Sequence, residues 1–256
     1  MAGETIKTEA ICLDIRPWSR TSHVVSWLTP MGKIATVVKG AVRAKSQFLG
    51  QYDLNYTCDI VYYARTKGEL HALREAVPVE MREGLRGDYR KLALAGYMRR
   101  LVAELAPMGE ECRAWYEELV RRLNACASLK SGEDAASPLG MLLGFELRVL
   151  ELAGLKPNFG RYGEIASASR GDRDSTEEEW LPFSLEAGVF GSSEGRCIRV
   201  SREVAEYLAK GAQNAENPQI PLDAARVIGV FYQFHLDCAS DVRRTVLEMI
   251  SSSKEG

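Results

Sequence analysis

A basic segment directly after a predicted strand offers the clearest chemistry in the sequence. Lys39, Arg43 and Lys45 lie within a stretch that contains no acidic side chain, and they follow the apolar run 34–38. Three cations on a loop can contact several phosphate oxygens, and Gly40 could leave backbone amides free to do the same. Such contacts hold a nucleic-acid backbone without reading its sequence. A solvated loop without a ligand is the alternative, and the loop alone leaves it open.

Positive charge is concentrated around this segment. The chain has a net charge of -2, yet residues 16–74 hold nine basic and three acidic side chains. A local surplus of this size on a small domain is typical of a protein that binds a polyanion. Five cations are candidates to flank the basic segment, namely Arg16, Arg20, Lys33, Lys67 and Arg74. Of these, Lys33, Arg20 and Arg74 are assigned to the predicted site.

Aromatic side chains of the barrel region, such as Trp18, Trp27, Tyr52 and Tyr63, could stack on bases. Trp18 lies in a predicted loop among basic residues, so stacking and core packing are about equally plausible for it. Trp27 lies in an alternating strand, which favours the core. The predicted contacts are therefore a phosphate-binding loop with Trp18 at its side.

Strand patterns recur through the first 80 residues. Short apolar or alternating runs cover residues 9–15, 22–29, 33–39, 53–63 and 69–76, with turn residues between them. Five short strands at regular spacing are typical of a small Greek-key barrel, of which the oligonucleotide-binding (OB) fold is the commonest. Residues 1–80 are therefore predicted to form an OB-fold nucleic-acid-binding domain.

The period of the apolar residues changes from 2 to 3.6 after Pro78. Helices are predicted at 85–105, 110–129, 139–153, 202–210, 222–237 and 241–250. Residues 155–200 form a predicted irregular insertion that is polar and rich in glycine. The predicted fold class is α+β, with the barrel followed by a helical bundle domain at 81–256.

Catalytic and metal-binding patterns are missing from the sequence. It contains no P-loop, GxSxG, HExxH or GxGxxG motif, and His23, His71 and His235 are isolated from one another. The six cysteines form no CxxC pair, so we expect reduced thiols, no metal and no cofactor. Because these catalytic motifs are missing, we expect no enzymatic activity. Because the sequence has no long apolar run and no signal-like N-terminus, we expect a cytoplasmic protein with no membrane partner.

Short segments occur in an order that resembles the bacterial DNA repair protein RecO family. They are EAICL at 9–13, SHVV at 22–25, GK at 32–33, KGAVR at 39–43, LREA at 73–76, GLKP at 154–157 and FHL at 234–236. The resemblance implies an OB-fold barrel, a helical C-terminal domain and a recombination mediator that binds single- and double-stranded DNA and anneals complementary strands. It also implies help in loading the recombinase RecA onto strands coated with single-stranded DNA-binding protein, together with the partner RecR.

Two further expectations accompany this resemblance. We expect a monomer on its own, which would join the bacterial nucleoid during repair. DNA binding should lack sequence specificity, because nothing in the sequence resembles a recognition helix.

One departure from the family concerns zinc. Many members carry a four-cysteine zinc site just after the Gly-Leu-x-Pro element and near a glycine-rich turn. Here residues 158–164 and 188–194 contain no cysteine, and Cys197 stands alone. Structural zinc needs about four nitrogen or sulfur ligands, so the insertion is predicted to be a zinc-ribbon-like segment without metal. It would be looser, or held by packing of its aromatic residues Phe159, Trp180, Phe183 and Phe190.

A protein-interaction scaffold with little DNA affinity is the alternative function. The sequence pI is about 6.0, and the net charge outside the first 80 residues is negative. Salt-sensitive retention on single-stranded DNA would separate the two functions.

Overall fold

Backbone contacts divide the chain into two units, Met1–Lys130 and Ser131–Gly256. The computed structural model describes residues 4–65, 70–108, 112–130, 138–160, 180–212, 217, 219–236 and 240–251. The division at residue 80 stays a prediction.

A closed five-stranded barrel forms the start of the first unit. Its strands are β1 (Thr5–Ser19), β2 (Ser22–Thr29), β3 (Gly32–Val38), β4 (Thr57–Tyr63) and β5 (Leu70–Glu80), in the order β1-β2-β3-β5-β4. Strand β1 pairs with β4 through its first half and with β2 through its second half, and its register with β2 shifts between Cys12 and Asp14. Such an irregularity bends a strand, which helps a small sheet to close. The predicted five-stranded OB-fold barrel followed by a helical domain is confirmed.

Alternating side chains fill the barrel. Ala10 and Cys12 of β1, Val25 and Trp27 of β2, and Ile60 of β4 are fully buried in one cluster. The indole Nε1 of Trp27 donates to Oγ1 of Thr36 at 2.9 Å, which satisfies its polar atom inside the core. The expected core position of Trp27 is confirmed.

Two helices follow the barrel in the same unit. They are α1 (Tyr89–Leu105) and α2 (Arg113–Ser128). The side chain of Asp88 caps α1 by accepting from the amide of Arg90 at 2.8 Å.

Arg82 joins α2 to the barrel. It is buried, and its guanidinium donates to the carbonyl of Asn55 at 2.6 Å, to Oγ1 of Thr57 at 2.9 Å and to Oδ1 of Asn124 on α2 at 2.7 Å. Removing it would leave two buried acceptors, the carbonyl of Asn55 and Oγ1 of Thr57, without this donor.

The second unit combines four helices with a small sheet among the described residues. The helices are α3 (Pro138–Leu152), α4 (Arg202–Ala209), α5 (Gln219–Leu236) and α6 (Ser240–Ser251). The strands are β6 (Trp180–Ser184), β7 (Val189–Phe190) and β8 (Cys197–Ser201), in the order β7-β6-β8. Sequence analysis predicted irregular chain here and no strands. Residues 161–179 of the predicted insertion lie outside the described residues.

A buried ion pair connects two helices of this unit. Glu146 of α3 is fully buried, and Arg243 of α6 donates to its two carboxylate oxygens at 2.7 and 2.9 Å. The same guanidinium donates to the carbonyl of Ala225 on α5 at 2.7 Å. One side chain therefore links three helices.

Candidate nucleic-acid interface

The segment between β3 and β4 begins as a chain of tight turns. Backbone amides three residues apart bond back along it, from Arg43 to Gly40 at 3.1 Å, from Ser46 to Arg43 at 2.9 Å and from Leu49 to Ser46 at 3.3 Å. Gly40 has φ of +68°, a conformation that suits glycine. The loop therefore has a defined backbone before any ligand arrives.

Apolar side chains of the loop anchor it to the barrel core. Ala41 and Phe48 are buried in the barrel cluster, and Tyr52 packs against it. The Tyr52 hydroxyl also lies 2.9 Å from Nδ1 of His23 on β2, and burial raises the pKa of Tyr52 to about 12. Tyr52 is thus partly buried against the barrel core, whereas the basic side chains of the loop are exposed.

The three predicted cations of the loop are exposed. Lys39, Arg43 and Lys45 all lie on the surface, and residues 39–52 contain no acidic side chain. Within the described part of the chain, none of the three forms an ion pair. Their charges are therefore available to an external anion.

The prediction that loop amides bind phosphate is wrong for the amides that the turns use. The amide of Gly40 donates to Oγ of Ser22 at 3.2 Å, and that of Val42 donates to the carbonyl of Thr21 at 3.3 Å. Those of Arg43 and Ser46 close the turns. Anion binding at these positions must come from side chains.

The amides of Gly40 and Val42 join the loop to the β1–β2 hairpin. Trp18 and Arg20 lie at this hairpin, beside Thr21 and Ser22. Both side chains are exposed, and Trp18 is 63% accessible. The hairpin that carries this cation and this indole is thus hydrogen-bonded to the basic loop.

Arg74 lies on the other side of the loop. Strands β3 and β5 run parallel, with Val37 opposite Ala72, so Lys39 and Arg74 each follow two residues later. The side-chain amide of Gln47 donates to the carbonyl of Arg74 at 3.0 Å. The guanidinium of Arg74 lies 5.8 Å from the ring centre of Tyr63 and 3.3 Å from a carboxylate oxygen of Glu75.

Six of the seven predicted site residues are therefore connected through this loop and its neighbours. We call them the basic band, which consists of Trp18, Arg20, Lys39, Arg43, Lys45 and Arg74. Sequence analysis missed Ser22 and Gln47, which hold the loop to its neighbours. No spacing rule identifies them, because each contact joins residues far apart in the chain.

Lys33 is not part of the basic band. It lies at the start of β3, whereas the loop leaves the end of that strand. Its Nζ donates to the carbonyl of Ala103 on α1 at 2.9 Å, and burial lowers the pKa of Lys33 below its ordinary value. The structure thus gives Lys33 a contact between barrel and helix.

The second unit does not fit the zinc ion that the family resemblance raised. The two segments that would carry cysteines are joined directly, since the amide of Asn158 donates to the carbonyl of Gly188 at 2.8 Å. The ring of Phe159 lies 5.6 Å from that of Phe190 and 6.0 Å from that of Phe183. Residues 161–179 add no cysteine or histidine to the sequence. Cys197 alone cannot supply the ligands that structural zinc needs.

Two other features, a metal-binding cluster and a membrane-spanning helix, are absent from the described residues. These residues contain no group of three or more histidine, cysteine, aspartate or glutamate side chains arranged to hold a metal ion. No described helix has the length and apolar character needed to cross a membrane.

Comparison with known families agrees with the barrel and its helices. The family model described as recombination protein O N terminal matches residues 1–82, and the model described as recombination protein O C terminal matches residues 86–240. The chain belongs to the RecO family. A role in DNA repair and recombination follows from this membership.

Curated relatives extend over most of the chain. A DNA repair protein RecO from Alkaliphilus metalliredigens is 31% identical over 246 residues, which cover 91% of this chain and 94% of the relative. One from Rhodopirellula baltica is 30% identical over 226 residues, or 84% of this chain and 78% of the relative. A third, from Roseiflexus, is 29% identical over 157 residues and covers 61% and 53% of the two chains.

Proposed function

We propose that this RecO-family chain is a recombination mediator that binds single- and double-stranded DNA through the basic band, without sequence specificity. The observation that carries the proposal is the convergence of five exposed cations around one preformed loop. Side chains of this kind contact phosphates, which are the same for every sequence. The only acidic side chain paired with a band cation among the described residues is that of Glu75, in an exposed contact that contributes little.

Annealing would follow from the same charge. Two complementary strands repel each other through their phosphates, and cations that neutralise both strands lower this repulsion. Base pairing then supplies the free energy, so the protein need not make or break a covalent bond. We propose further that the chain helps to load RecA onto strands coated with single-stranded DNA-binding protein, acting together with RecR.

Binding to a fluorescent single-stranded oligonucleotide at two salt concentrations tests the interface. The band variant carries Lys39→Ala, Arg43→Ala and Lys45→Ala. The control carries Arg148→Ala, Lys210→Ala and Arg226→Ala, which change the net charge equally but lie on exposed ion pairs of the second unit. Loss of three phosphate contacts should make the negative slope of log affinity against log salt less steep by about two.

The outcomes separate the mediator from the scaffold. The proposal requires that the parent and the control bind and weaken with salt, while the folded band variant loses most of its affinity. If the parent does not bind at low salt, the chain is a protein-interaction scaffold. If the band variant binds as the parent does, the DNA site lies elsewhere.

The mediator steps need their own measurement. Annealing of two labelled complementary strands should be faster with the parent and the control than with the band variant. RecA assembly on a strand coated with single-stranded DNA-binding protein should need this chain and RecR together. A chain that binds DNA without accelerating either step would be a DNA-binding protein but not a mediator.

A further inference from the structure

Trp18 is an unusually exposed aromatic side chain. Its accessibility is 63%, whereas Trp27 and Trp115 are almost fully buried and Trp180 is 48% accessible. A tryptophan left in water forgoes the large gain that its burial would bring. An exposed indole near the end of a hairpin that is bonded to the basic loop therefore suggests a ligand with an apolar face.

Other exposed aromatic rings of the first unit already have a partner. The guanidinium of Arg74 lies 5.8 Å from the ring centre of Tyr63, and that of Arg90 lies 5.5 Å from the ring centre of Tyr89. In the described residues, neither an aromatic ring nor a guanidinium stacks on the indole of Trp18. Trp18 is thus the band's free stacking surface.

We propose that the basic band makes two separable kinds of contact, with its cations holding either form of DNA and Trp18 stacking on an unpaired base. The proposal rests on the proposed function and assigns strand preference to one residue. In a duplex the bases are already stacked and paired, and inserting an indole would require unstacking them at a cost of a few kcal/mol. A single strand presents its base faces without that cost.

Phosphate contacts do not distinguish the two forms in this way, since both carry a charged backbone. Trp18 should therefore set the preference for single strands, while Lys39, Arg43 and Lys45 set the affinity for both. The bound group would be an unpaired nucleotide of the strand whose phosphates the loop holds.

Matched tryptophan variants test the inference. Affinities for a single strand and for a duplex of the same length are measured at low salt with the parent, Trp18→Ala and Trp180→Ala. Trp18→Ala should weaken single-strand binding about fivefold or more, by loss of one stacking contact, and leave duplex binding unchanged. Trp18→Phe should restore part of the single-strand affinity. Trp180→Ala removes an exposed tryptophan of the second unit and should bind both forms as the parent does.

Fluorescence reports on the ring directly. In a Trp180→Phe background, Trp18 is the exposed tryptophan and the other two are buried. Stacking on a base should quench its emission when single-stranded DNA is added. Duplex DNA, bound to the same extent, should not quench it.

Each outcome decides the inference. It is overturned if Trp18→Ala weakens both forms equally, if it weakens neither, or if duplex quenches the indole as strongly as a single strand does. If the parent binds neither form at low salt, the proposed function itself fails. A parent that binds both forms, with an unchanged Trp18→Ala variant, would overturn the inference alone.

Discussion

Lys33 and Lys39 stand near opposite ends of the same strand and have different surroundings. The ammonium of Lys33 donates to a carbonyl of α1, whereas Lys39 is exposed at the start of the basic loop. Both lysines belong to the same cluster of positive charge in the sequence. Only the three-dimensional structure shows that one cation is already bound by the protein.

Single lysine substitutions should therefore have opposite effects. Lys33→Ala is expected to lower the free energy of unfolding by about 1 kcal/mol, because a carbonyl loses its donor, and to leave the salt dependence of DNA binding unchanged. Lys39→Ala should leave stability unchanged and weaken DNA binding. Chemical denaturation and oligonucleotide titration measure the two quantities. A Lys33→Ala protein that is as stable as the parent but binds DNA poorly would show that Lys33 contacts DNA.

Gly40 offers a matched pair of substitutions. It has φ of +68°, and an added Cβ would lie 3.2 Å from Cδ of Arg43. Gly50 has φ of +72°, with no atom within 4 Å of an added Cβ. Alanine at either position should cost about 1–2 kcal/mol of stability through backbone strain. Only Gly40→Ala should also weaken DNA binding, since it displaces Arg43. Equal DNA affinities of the two folded variants would show that the position of Arg43 does not matter.

The sequence predicts helices and strands that have a regular apolar period, but it does not predict the short strands of the second unit. Barrel strands and helices carry apolar residues at periods of 2 and 3.6, and most of them lie close to their predicted bounds. The prediction was wrong for β1, which runs over Thr5–Ser19 and not over 9–15, so Trp18 lies near the end of a strand and not in a loop. Strand β7 has two residues, too few for any period. Pro182 lies inside β6, where it argues against a strand in the sequence, yet its carbonyl still accepts from the amide of Gly191 at 2.8 Å.

The sequence likewise predicts only part of the candidate site. Charge and position in the sequence identified the basic loop and its hairpin neighbour. Contacts across the loop, such as that of Gln47 with Arg74, depend on the closure of the barrel and leave no local pattern. The sequence also does not predict that Lys33 donates to the carbonyl of Ala103 on α1, because the two residues are 70 positions apart.

The Glu146–Arg243 pair predicts how the helices of the second unit depend on one another. Arg243→Met removes the guanidinium from a fully buried carboxylate and should cost about 3–5 kcal/mol of stability. Adding Glu146→Leu should recover most of this loss, because the buried charge is then gone. Arg226→Met breaks an exposed pair on α5 and should change stability by less than about 1 kcal/mol. Denaturant unfolding of the four variants, including Glu146→Leu alone, gives the coupling. If Arg243→Met lowers the free energy of unfolding no more than Arg226→Met does, the buried pair does not stabilise the second unit.

Packing of phenylalanines should make the second unit independent of metal. Phe183 lies 5.0 Å from Phe190 and 5.8 Å from Phe231 between ring centres, which joins the small sheet to α5. A strong chelator should therefore leave the thermal unfolding midpoint unchanged. A lower midpoint with the chelator, restored by added zinc, would contradict this expectation.

For the whole molecule, the placement of charge matters more than its sum. Acidic residues slightly outnumber basic ones, which by itself would disfavour DNA. The charged side chains of the loop at residues 39–52 are nevertheless all basic. Contacts with the barrel fix the loop backbone before DNA binds. Binding should accordingly be local to the basic band and sensitive to salt.

Acetylation of lysines in the unmodified protein, followed by mass spectrometry, tests this localisation most directly. The basic band predicts that single-stranded DNA protects Lys39 and Lys45, and that high salt removes the protection. Lys156 and Lys210, exposed in the second unit, should react equally with and without DNA. Unchanged reactivity of Lys39 and Lys45, with protection of Lys156 or Lys210, would contradict the account and move the DNA site to the second unit.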